Sequence, residues 1–544
     1  MAARVSRRGV LRAAVAVGVG AAVCGAAQVR LTGAQAATTH PGMLHTSADF
    51  DRMAAQVAAG AAPWKAGWDR LVANGHAQST WTPRPVATVV RGGTGQNYAQ
   101  LYGDLAAAYQ NALRWRVSGN VASGNTARDI LNAWSATLTT VTGDADRYLA
   151  AGIYGHQFAN AAEIMRGYPG FDLARFQTMM LNVFYPLNNA FLTKHNDACI
   201  TNYWANWDLC TMASVLAIGI LCADQAKIDQ AVTYFRTGAG NGSILHAVPF
   251  LHPNGLAQWQ ESGRDQGHTM LGIGLLGDFC EMAWNQGYDL YGYGGNRFLQ
   301  ACEYVAKYNL GEDVPFTTYT WGSGQNCASQ AQTVISSASR GQDRPVWERV
   351  YNHYVVRRGL VAPYTQMYAA RVRPEGGGGD YGTDSGGYDH LGFGTLTATR
   401  PPEPLLAAGI YTLTSVMSGK NLDNGSVSTE GGPVVQWTPN TGNAQRWRVA
   451  AAGDGFYRLT DQMSGKNLDN GSVTTVGGRV LQWTPNTGNA QLWRITQQDG
   501  GYQLASGMSG QVLDNGNVTT EGAAAIQWTA NGGKQQRWRL VRVG

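Results

Sequence analysis

Residues 257–274, AQWQESGRDQGHTMLGIG, bring acidic, basic, aromatic and glycine residues together directly before an apolar run. Such a stretch is typical of a loop that leads into a buried helix, with Asp265 as the N-cap and His268 in the first turn. Because a helix N-terminus disfavours a cation, it would keep His268 neutral and able to accept a proton. The segment therefore offers a candidate base beside the cation Arg264. A structural interpretation, in which Glu261 or Asp265 pairs with Arg264 and His268 only caps the helix, fits these residues equally well.

Two further clusters stand at the starts of helical patterns. Residues 202–208, NYWANWD, precede an apolar helix, and residues 155–166, GHQFANAAEIMR, place polar groups about one turn apart on one helical face. Amide, aromatic and basic groups of this kind suit a groove for a polar polymer such as a polysaccharide. For each cluster taken singly, helix capping and core packing are the competing interpretation. The candidate substrate-binding residues are Gln157, Asn160, Arg166, Trp204, Trp207, Glu261 and, from a later segment, Tyr388.

The composition is that of a globular protein with several domains. The chain has 544 residues, of which 44% are hydrophobic and 14% are charged, so two or three separate cores are expected. The formal net charge of +5 permits an acidic ligand. Since the sequence has no run of Lys and Arg, it argues against nucleic acid as a partner.

The N-terminus carries a predicted export signal. Arg7 and Arg8 precede an apolar, alanine-rich segment that ends at Ala36, which is the pattern of a twin-arginine-type signal peptide over residues 1–36. No later stretch reaches about 18 uninterrupted apolar residues. We therefore expect a mature protein that is secreted, soluble, without a membrane partner, and monomeric.

Six cysteines follow this signal. Their spacing matches no zinc or redox motif, and several lie on apolar helical faces, where a buried free thiol is common. Roughly one to three disulfide bonds are also possible in an exported protein, and the sequence does not determine their pairing. The sequence shows no metal-binding constellation, and we expect no cofactor. The six residues are Cys199, Cys210, Cys222, Cys280, Cys302 and Cys327.

A helical pattern extends from about residue 45 to residue 356. Apolar residues recur at three-to-four spacing in successive segments, the connections are short, and no strand–helix alternation appears. A long series of paired antiparallel helices indicates an arc or toroid of helical hairpins, with a large bundle as the alternative. A glycine-rich, non-helical segment closes this domain, which we place at residues 37–398. Residues 399–403 are predicted to form a stiff, proline-rich linker.

A threefold repeat follows the linker. The motif Leu-Asp-Asn-Gly recurs around Asp423, Asp469 and Asp514 at a period of 45 to 46 residues, and each copy is followed by a Gln-Trp pair and a Gln-x-Trp. Residues 404–544 closely resemble the ricin-type β-trefoil, a carbohydrate-binding module whose Gln-x-Trp residues lie mainly in the core. The resemblance implies that the three aspartates contact sugar hydroxyls. Since residues 519–524 differ from their counterparts, the third site is expected to be weaker.

Residues of about 40 to 400 resemble the alginate-lyase superfamily of polysaccharide lyases, especially its glucuronan- and alginate-lyase branch. The motifs NYWANWD, QFANAAEIMR, ESGRDQGHT and RPEGGGGD carry this similarity. It implies a multidomain protein in which an all-α, incomplete (α/α) toroid is followed by the all-β trefoil. It further implies a secreted lyase that cleaves an acidic, uronic-acid-containing polysaccharide of the alginate or glucuronan type by β-elimination.

The resemblance assigns three tasks at the reacting uronate, which are to neutralise its C6 carboxylate, to remove the C5 proton and to protonate the departing O4. Asn206 matches the neutralising position of related toroid lyases, Arg264 could assist it, and His268 would be the base or the neutraliser's partner. Related lyases take the acid from a tyrosine several residues after the Arg or His, and residues 269–276 contain none. The candidates, with Tyr203 first for its proximity and Tyr388 second, are Tyr203, Tyr388, Tyr154, Tyr364 and Tyr381.

Two other classes of protein fit the sequence. An inverting glycoside hydrolase on an (α/α) barrel would need two carboxyl groups roughly 6.5–9.5 Å apart. A non-catalytic secreted lectin would use the helical domain only as a scaffold and would bind a polymer without turning it over. A product that absorbs in the ultraviolet distinguishes the lyase from the hydrolase. The carboxyl groups available to a hydrolase are Glu261, Asp265, Asp208, Glu163 and Asp384.

Overall fold

The structure, a computed structural model, describes residues 38–323, 328–401, 405–453, 455–498 and 500–544. The export signal predicted at residues 1–36 lies outside these ranges, as does part of the predicted linker. Within the described ranges, every helix is too short or too polar to cross a membrane.

The first part of the described chain is built mainly from α-helices that pack their apolar faces together. Three π-helical turns interrupt this pattern, at Ala150–Tyr154, Met180–Phe184 and Asn352–Arg357. The helices are α1 (Ser47–Ala58), α2 (Trp64–Ala73), α3 (Ala99–Ser118), α4 (Val121–Thr137), α5 (Asp146–Leu149), α6 (Gly155–Ile164), α7 (Leu173–Met179), α8 (Tyr185–Lys194), α9 (Ala205–Leu221), α10 (Gln225–Thr237), α11 (Ile244–Ala247), α12 (Gln266–Asn285), α13 (Tyr293–Asn309), α14 (Trp347–Tyr351), α15 (Pro363–Val372), α16 (Ser385–Tyr388) and α17 (Gly394–Thr397).

Helix α9 is buried along almost its whole length and packs against α6, α8, α10 and α12. Its apolar character all round explains this position, because such a helix has no face to present to water. The first backbone N–H groups of α9 have no partner inside the helix. The side chains of Gln260 and Glu261, just before α12, accept hydrogen bonds from the backbone N–H groups of Ala205 and Asn206 at 3.0 Å each. The two predicted motifs therefore meet where α9 begins.

Three small sheets within the helical part were not predicted. The strands β1 (Thr88–Val90) and β2 (Thr140–Thr142) are parallel, β3 (Phe250–Leu251) pairs with β4 (Ala257–Gln258), and β5 (Tyr319–Ser323) pairs with β6 (Ala328–Gln332). Most of these strands have two or three residues, which is too short for an alternating pattern to appear in the sequence.

The C-terminal part is all-β and carries the threefold repeat. Six strands close into a ring in the order β7, β11, β12, β15, β16 and β19, and β19 pairs back with β7. Closure removes the free sheet edges of the ring. The strands are β7 (Gly409–Ser415), β8 (Asn421–Asp423), β9 (Gly432–Pro433), β10 (Val435–Trp437), β11 (Trp447–Gly453), β12 (Phe456–Asp461), β13 (Asn467–Asp469), β14 (Leu481–Trp483), β15 (Trp493–Gln498), β16 (Gly501–Ser506), β17 (Val512–Asp514), β18 (Ile526–Trp528) and β19 (Trp538–Arg542).

The three Gln-x-Trp motifs form the centre of the β core, as predicted. Trp447, Trp493 and Trp538 are fully buried. Each indole N–H donates to the carbonyl oxygen of the leucine in the Leu-Asp motif of its own repeat, at 2.9 to 3.1 Å. The helical and β parts have separate hydrophobic cores. The predicted multidomain fold class, helical and then all-β, is confirmed.

The cysteines divide into free and bonded thiols. Cys199 is disulfide-bonded. Cys327 lies outside the described residues. The free thiols are Cys210, Cys222, Cys280 and Cys302.

Candidate functional site

A cavity of about 460 Å³ lies at the N-terminal ends of α9 and α12. Its wall combines charged and amide side chains with few apolar groups, which suits a polar, charged ligand. Four residues of the predicted site line it, namely Asn206, Trp207, Arg264 and His268. The other lining residues are Arg91, Asp146, Leu149, Ile153, Asp265, Gly267, Leu271, Ser339, Gln342, Arg344, Asp384, Ser385, Gly386 and Asp389.

His268 is held by Asp265, which caps α12 as predicted. Asp265 Oδ1 accepts from the backbone N–H of His268 at 2.8 Å, and Oδ2 lies 2.7 Å from Nδ1 of the ring. Burial alone would raise the pKa of Asp265, but the hydrogen bonds from His268 and the charge of Arg264 hold it below its ordinary value. Since an ionised carboxylate only accepts hydrogen bonds, the proton of the neutral ring is on Nδ1.

The other ring nitrogen of His268 faces Arg264. Nε2 lies 3.1 Å from Nη2 of the guanidinium, which can only donate, so Nε2 carries the lone pair. The imidazole therefore presents its basic nitrogen to the cavity, with 42% of the side chain exposed. Arg264 is fixed from two other sides, because Nη1 pairs with Glu261 at 2.9 Å and the guanidinium lies 5.0 Å from the ring centre of Trp204.

Glu261 is fully buried and links Arg264 to Asn206. Its Oε1 accepts from the backbone N–H of Asn206, and its Oε2 accepts from the Asn206 side-chain amide, both at 3.0 Å. Burial raises the pKa of Glu261, while the charge of Arg264 and the hydrogen bonds from Asn206 and Arg264 oppose that shift. Glu261 therefore positions the side chains of Asn206 and Arg264, which are predicted to bind the carboxylate, and does not itself line the cavity.

Three predicted substrate-binding residues on or next to α6 do not reach the cavity. Gln157 Nε2 donates to the carbonyl oxygen of Asp389 at 2.7 Å. Asn160 is buried and accepts from a backbone N–H at 3.0 Å. Arg166 forms an ion pair with Glu163 at 3.0 Å. Their partners are protein groups that hold helices and loops together, which is the competing interpretation of this cluster.

No described residue that lines the cavity is a tyrosine. The ring of Tyr203 packs on Trp207 at 4.6 Å between centres, and its hydroxyl accepts from Asn196. Tyr388 stacks on Tyr102 at 4.1 Å. Both candidates are thus engaged beside the cavity, and a tyrosine as the proton donor stays a prediction.

Most of the other residues that line the cavity were not predicted from the sequence. Arg91 follows β1, Asp146 stands at the start of α5, and Arg344 forms a buried ion pair with Asp389 at 3.0 Å. Within the described residues, the carboxylates of Asp146 and Asp384 have no hydrogen-bond partner. The glycine-rich segment, with Asp380, Asp384 and Asp389, was the one signal in the sequence that pointed to these residues. The loops after β1 and β2 carry no motif.

The trefoil contains two cavities that repeat the same design. One, of about 410 Å³, is lined by Asp423 and Trp437, and the other, of about 770 Å³, by Asp469 and Trp483. Each tryptophan is about 40% exposed, at 44% and 41%, and offers a flat face on which a pyranose ring can stack. In each repeat, one carboxylate oxygen accepts from a backbone N–H and the other from the Gln of Gln-x-Trp, including Asp514 with Gln536 at 3.0 Å.

The third repeat departs from this design at two positions. Lys534 stands where the other cavities have Asn443 and Asn489, and Gln535 stands where they have an alanine. Gln535 Nε2 donates to Asn531 Oδ1 at 3.2 Å, so its side chain lies over the third repeat's counterpart of the loop that lines the other two cavities. This adds a second difference to the one at residues 519–524.

Comparisons with known proteins agree with this architecture. Residues 77–315 match the family model described as alginate lyase, and residues 404–483 and 489–544 match the model described as ricin-type beta-trefoil lectin domain-like. A region similar to the alginate lyase family is therefore followed by a region similar to lectin trefoils, as the sequence predicted. Together the matches support a polysaccharide lyase with a sugar-binding module. No curated protein matches the chain.

Solved structures similar to this chain each cover about a quarter of it. They include the designed 3-fold symmetric protein ThreeFoil, with 38% identity over 25% of this chain and 99% of that chain and a TM-score of 0.25. An exo-beta-1,3-galactanase from Clostridium thermocellum has 30% identity over 27% of this chain and 33% of that chain, with a TM-score of 0.24. The Rhizoctonia solani agglutinin has 25% identity over 26% of this chain and 100% of that chain, also with a TM-score of 0.24. At TM-scores this low, the likenesses carry no argument about function.

Proposed function

We propose that this chain is a secreted polysaccharide lyase that cleaves a uronic-acid polymer of the alginate or glucuronan type by β-elimination. One observation carries the proposal. A continuous series of hydrogen bonds and ion pairs at the cavity joins an amide, a guanidinium and an oriented imidazole. The members of this series are Asn206, Glu261, Arg264, His268 and Asp265.

Asn206 and Arg264 are assigned to the uronate carboxylate. Glu261 holds one amide N–H of Asn206 and one side of the Arg264 fork, so both side chains are oriented before substrate arrives. Hydrogen bonds from an amide and a guanidinium to the carboxylate withdraw electron density and acidify the C5 proton. Because these donors are fixed in advance, little reorganisation is needed in the transition state.

His268 is assigned as the base. When the carboxylate takes the Arg264 donor that now faces Nε2, this nitrogen is free to accept the C5 proton. The electron pair of the C5–H bond then forms the C4–C5 double bond, and the C4–O4 bond breaks. Asp265 stabilises the resulting imidazolium through Nδ1.

Asp146 is assigned as the group that protonates the departing O4. It lines the cavity, and burial raises the pKa of its carboxyl, with Arg91 opposing that shift. A carboxyl with a raised pKa is protonated in a larger fraction of molecules near neutral pH. Within the described residues, no hydrogen bond occupies its side chain, so it is free to donate.

Export and carbohydrate targeting complete the proposal. A disulfide at Cys199 is typical of a protein that resides in an oxidising compartment, which agrees with export through the twin-arginine pattern at residues 1–36. The exposed tryptophans of the trefoil would hold the enzyme on a carbohydrate surface. The sugar that the trefoil binds need not be the sugar that the cavity cleaves.

The test is turnover of separate polymers by the mature protein. Glucuronan, polymannuronate, polyguluronate and hyaluronan would each be followed by absorbance near about 235 nm, which reports an unsaturated uronide, and by new reducing ends. A rise in both signals with at least one polymer supports the lyase. New reducing ends without absorbance would replace it with a hydrolase. The proposal is refuted if no uronic-acid polymer gives either signal.

A further inference from the structure

Arg91 is a buried arginine on the cavity wall to which the proposed mechanism assigns no contact with the substrate. It directly follows β1, whose parallel partner β2 leads to Asp146, so the two residues emerge from the same edge of a small sheet. Arg91 is 8% exposed and lines the cavity together with Asn206 and His268.

The guanidinium of Arg91 has no carboxylate partner within the described residues. It lies over the rings of Tyr98 and Tyr154, 5.1 and 5.5 Å from their centres, and makes one long hydrogen bond of 3.4 Å to the Tyr154 hydroxyl. The other two cavity arginines are both paired, Arg264 with Glu261 at 2.9 Å and Arg344 with Asp389 at 3.0 Å.

Burial opposes the charge of Arg91, and the nearby Tyr154, Asp389 and Asp146 hold its pKa above the ordinary value, although neither carboxylate lies within ion-pair distance. The two aromatic rings stabilise the charge further, but most of the five N–H donors have no acceptor among the described residues. A planar fork of this kind matches a carboxylate in two parallel hydrogen bonds. Because Arg91 lines the cavity, its remaining donors suit an anion that enters there.

We propose that Arg91 binds the carboxylate of a second uronate, adjacent in the polymer to the uronate held by Asn206 and Arg264. This rests on the proposed function for the identity of the first uronate. The consequence is a preference for polymers in which consecutive sugars are uronates over polymers in which uronates alternate with neutral sugars. Arg91 is then a specificity-determining residue, whereas Arg264 acts at the reacting sugar.

A matched control is available in Arg116. Its guanidinium also lies over two aromatic rings, Phe50 at 4.5 Å and Trp115 at 5.3 Å, and makes no ion pair within the described residues. Arg116 does not line the cavity. Loss of Arg116 therefore reproduces the loss of an arginine packed on aromatic rings without touching the cavity.

The test measures binding by titration calorimetry in the inactive H268A background, so that no ligand is cleaved. The probes are a tetrasaccharide of consecutive uronates, the same tetrasaccharide with its carboxyl groups reduced to alcohols, and a hyaluronan tetrasaccharide. We expect R91Q to bind the tetrasaccharide of consecutive uronates about tenfold more weakly or worse, as for a lost hydrogen bond to a charged group. The other two should bind as in the H268A parent, and R116Q should bind all three as the parent does.

Three results would overturn the inference. R91Q could bind the uronate tetrasaccharide as the parent does and only melt at a lower temperature, which would make Arg91 a packing residue. R91Q could weaken the hyaluronan tetrasaccharide equally, which would place Arg91 at the same carboxylate as Arg264. R91K could bind as tightly as arginine, which would exclude the two-bond geometry.

Failure of the proposed function gives a different pattern. If the wild-type protein turns over no polymer but R91Q still loses the uronate tetrasaccharide selectively, the anion subsite stands and the lyase assignment falls. If the wild-type protein produces unsaturated ends while R91Q binds normally, the lyase stands and the second subsite falls.

Discussion

His268 engages both carboxylate oxygens of Asp265, one through its backbone N–H at 2.8 Å and the other through ring Nδ1 at 2.7 Å. The Asp265 side chain thus caps α12 and also selects the tautomer of His268 in its first turn. Helix capping and orientation of the base, which the sequence presented as competing interpretations of the segment, are performed together by one aspartate.

The first prediction concerns this pair. Replacing Asp265 with Asn keeps an oxygen for the helix cap but offers an N–H to Nδ1, which moves the ring proton to Nε2. We expect kcat to fall by about 10²- to 10⁴-fold with a small change in KM, as for loss of an orienting carboxylate in a catalytic triad. Initial rates of unsaturated product formation measure this. D265N with wild-type kcat would remove His268 from the role of base.

The second prediction concerns Asn206. N206A removes an amide from the uronate carboxylate and should lower kcat/KM by about 10²-fold, the usual effect of one lost transition-state donor. N206D should be more damaging, because it places a carboxylate beside Glu261 and opposite the uronate. If N206D is as active as N206A, the residue does not face an anion. Melting temperatures of both variants serve as the control for folding.

The third prediction concerns Asp146. D146N keeps the size of the side chain and removes its ionisable proton. We expect kcat to fall by about 10²-fold or more, within the range of general acid catalysis. A substrate with a more acidic leaving group should recover much of the lost rate, because it needs no proton. D384N is the matched control, since Asp384 also lines the cavity without a hydrogen-bond partner among the described residues. If D384N shows the loss and D146N does not, the acid is Asp384.

The fourth prediction concerns the trefoil. D423A and D469A should each weaken retention on an insoluble polysaccharide that the wild-type protein binds, and D514A should weaken it less, because Gln535 lies over the third loop. Turnover of a short, soluble uronate oligosaccharide should be the same in all three variants. Equal losses from all three repeats would contradict the difference assigned to the third.

The fifth prediction is a dependence of stability on pH that comes from one break in the threefold symmetry. Asp461 is fully buried, its Oδ2 has no partner, and the equivalent positions in the other repeats are Ser415 and Ser506. Burial raises the pKa of Asp461 from 3.8 to about 6, so the folded chain keeps a proton that the unfolded chain releases. The free energy of unfolding therefore falls as pH rises from 3.8, the pKa in the unfolded chain, to about 6, the pKa in the folded chain.

Replacing Asp461 with Ser, as in the other two repeats, should remove that loss. We expect D461S to stabilise the trefoil by on the order of 2 kcal/mol above pH 6 and by much less at pH 4. Scanning calorimetry of the full chain at both pH values measures this, and D461N separates the charge from the volume change. A gain of equal size at both pH values would exclude ionisation as its cause.

The parts of the site that lie within one short segment could be predicted from the sequence. The cap at Asp265 and the place of His268 follow from local preferences of a helix N-terminus, and the trefoil follows from a repeat that three copies make visible. Asn206 was found from its motif, although its contact with Glu261 across 55 positions was not. Local patterns carry information about neighbours in sequence and little about neighbours in space.

The other residues that line the cavity could not be predicted, for the same reason. Arg91 and Asp146 each follow a strand of only three residues, which is too short to give a local signal. Tyr203 was favoured for its closeness in sequence to Asn206, but its side chain turns to Trp207 and Asn196. The α6 cluster shares a helical face as predicted. That face is used for packing, because its polar groups find protein partners.

The mass of the product tests the central claim most directly. The polymer that is turned over would be digested in ¹⁸O-labelled water, and the new ends would be examined by mass spectrometry. Elimination predicts oligosaccharides about 18 Da lighter than hydrolysis products of the same length, without ¹⁸O, and their loss in H268A. Products that carry one ¹⁸O at each new reducing end would contradict the lyase and direct attention to the cavity carboxylates.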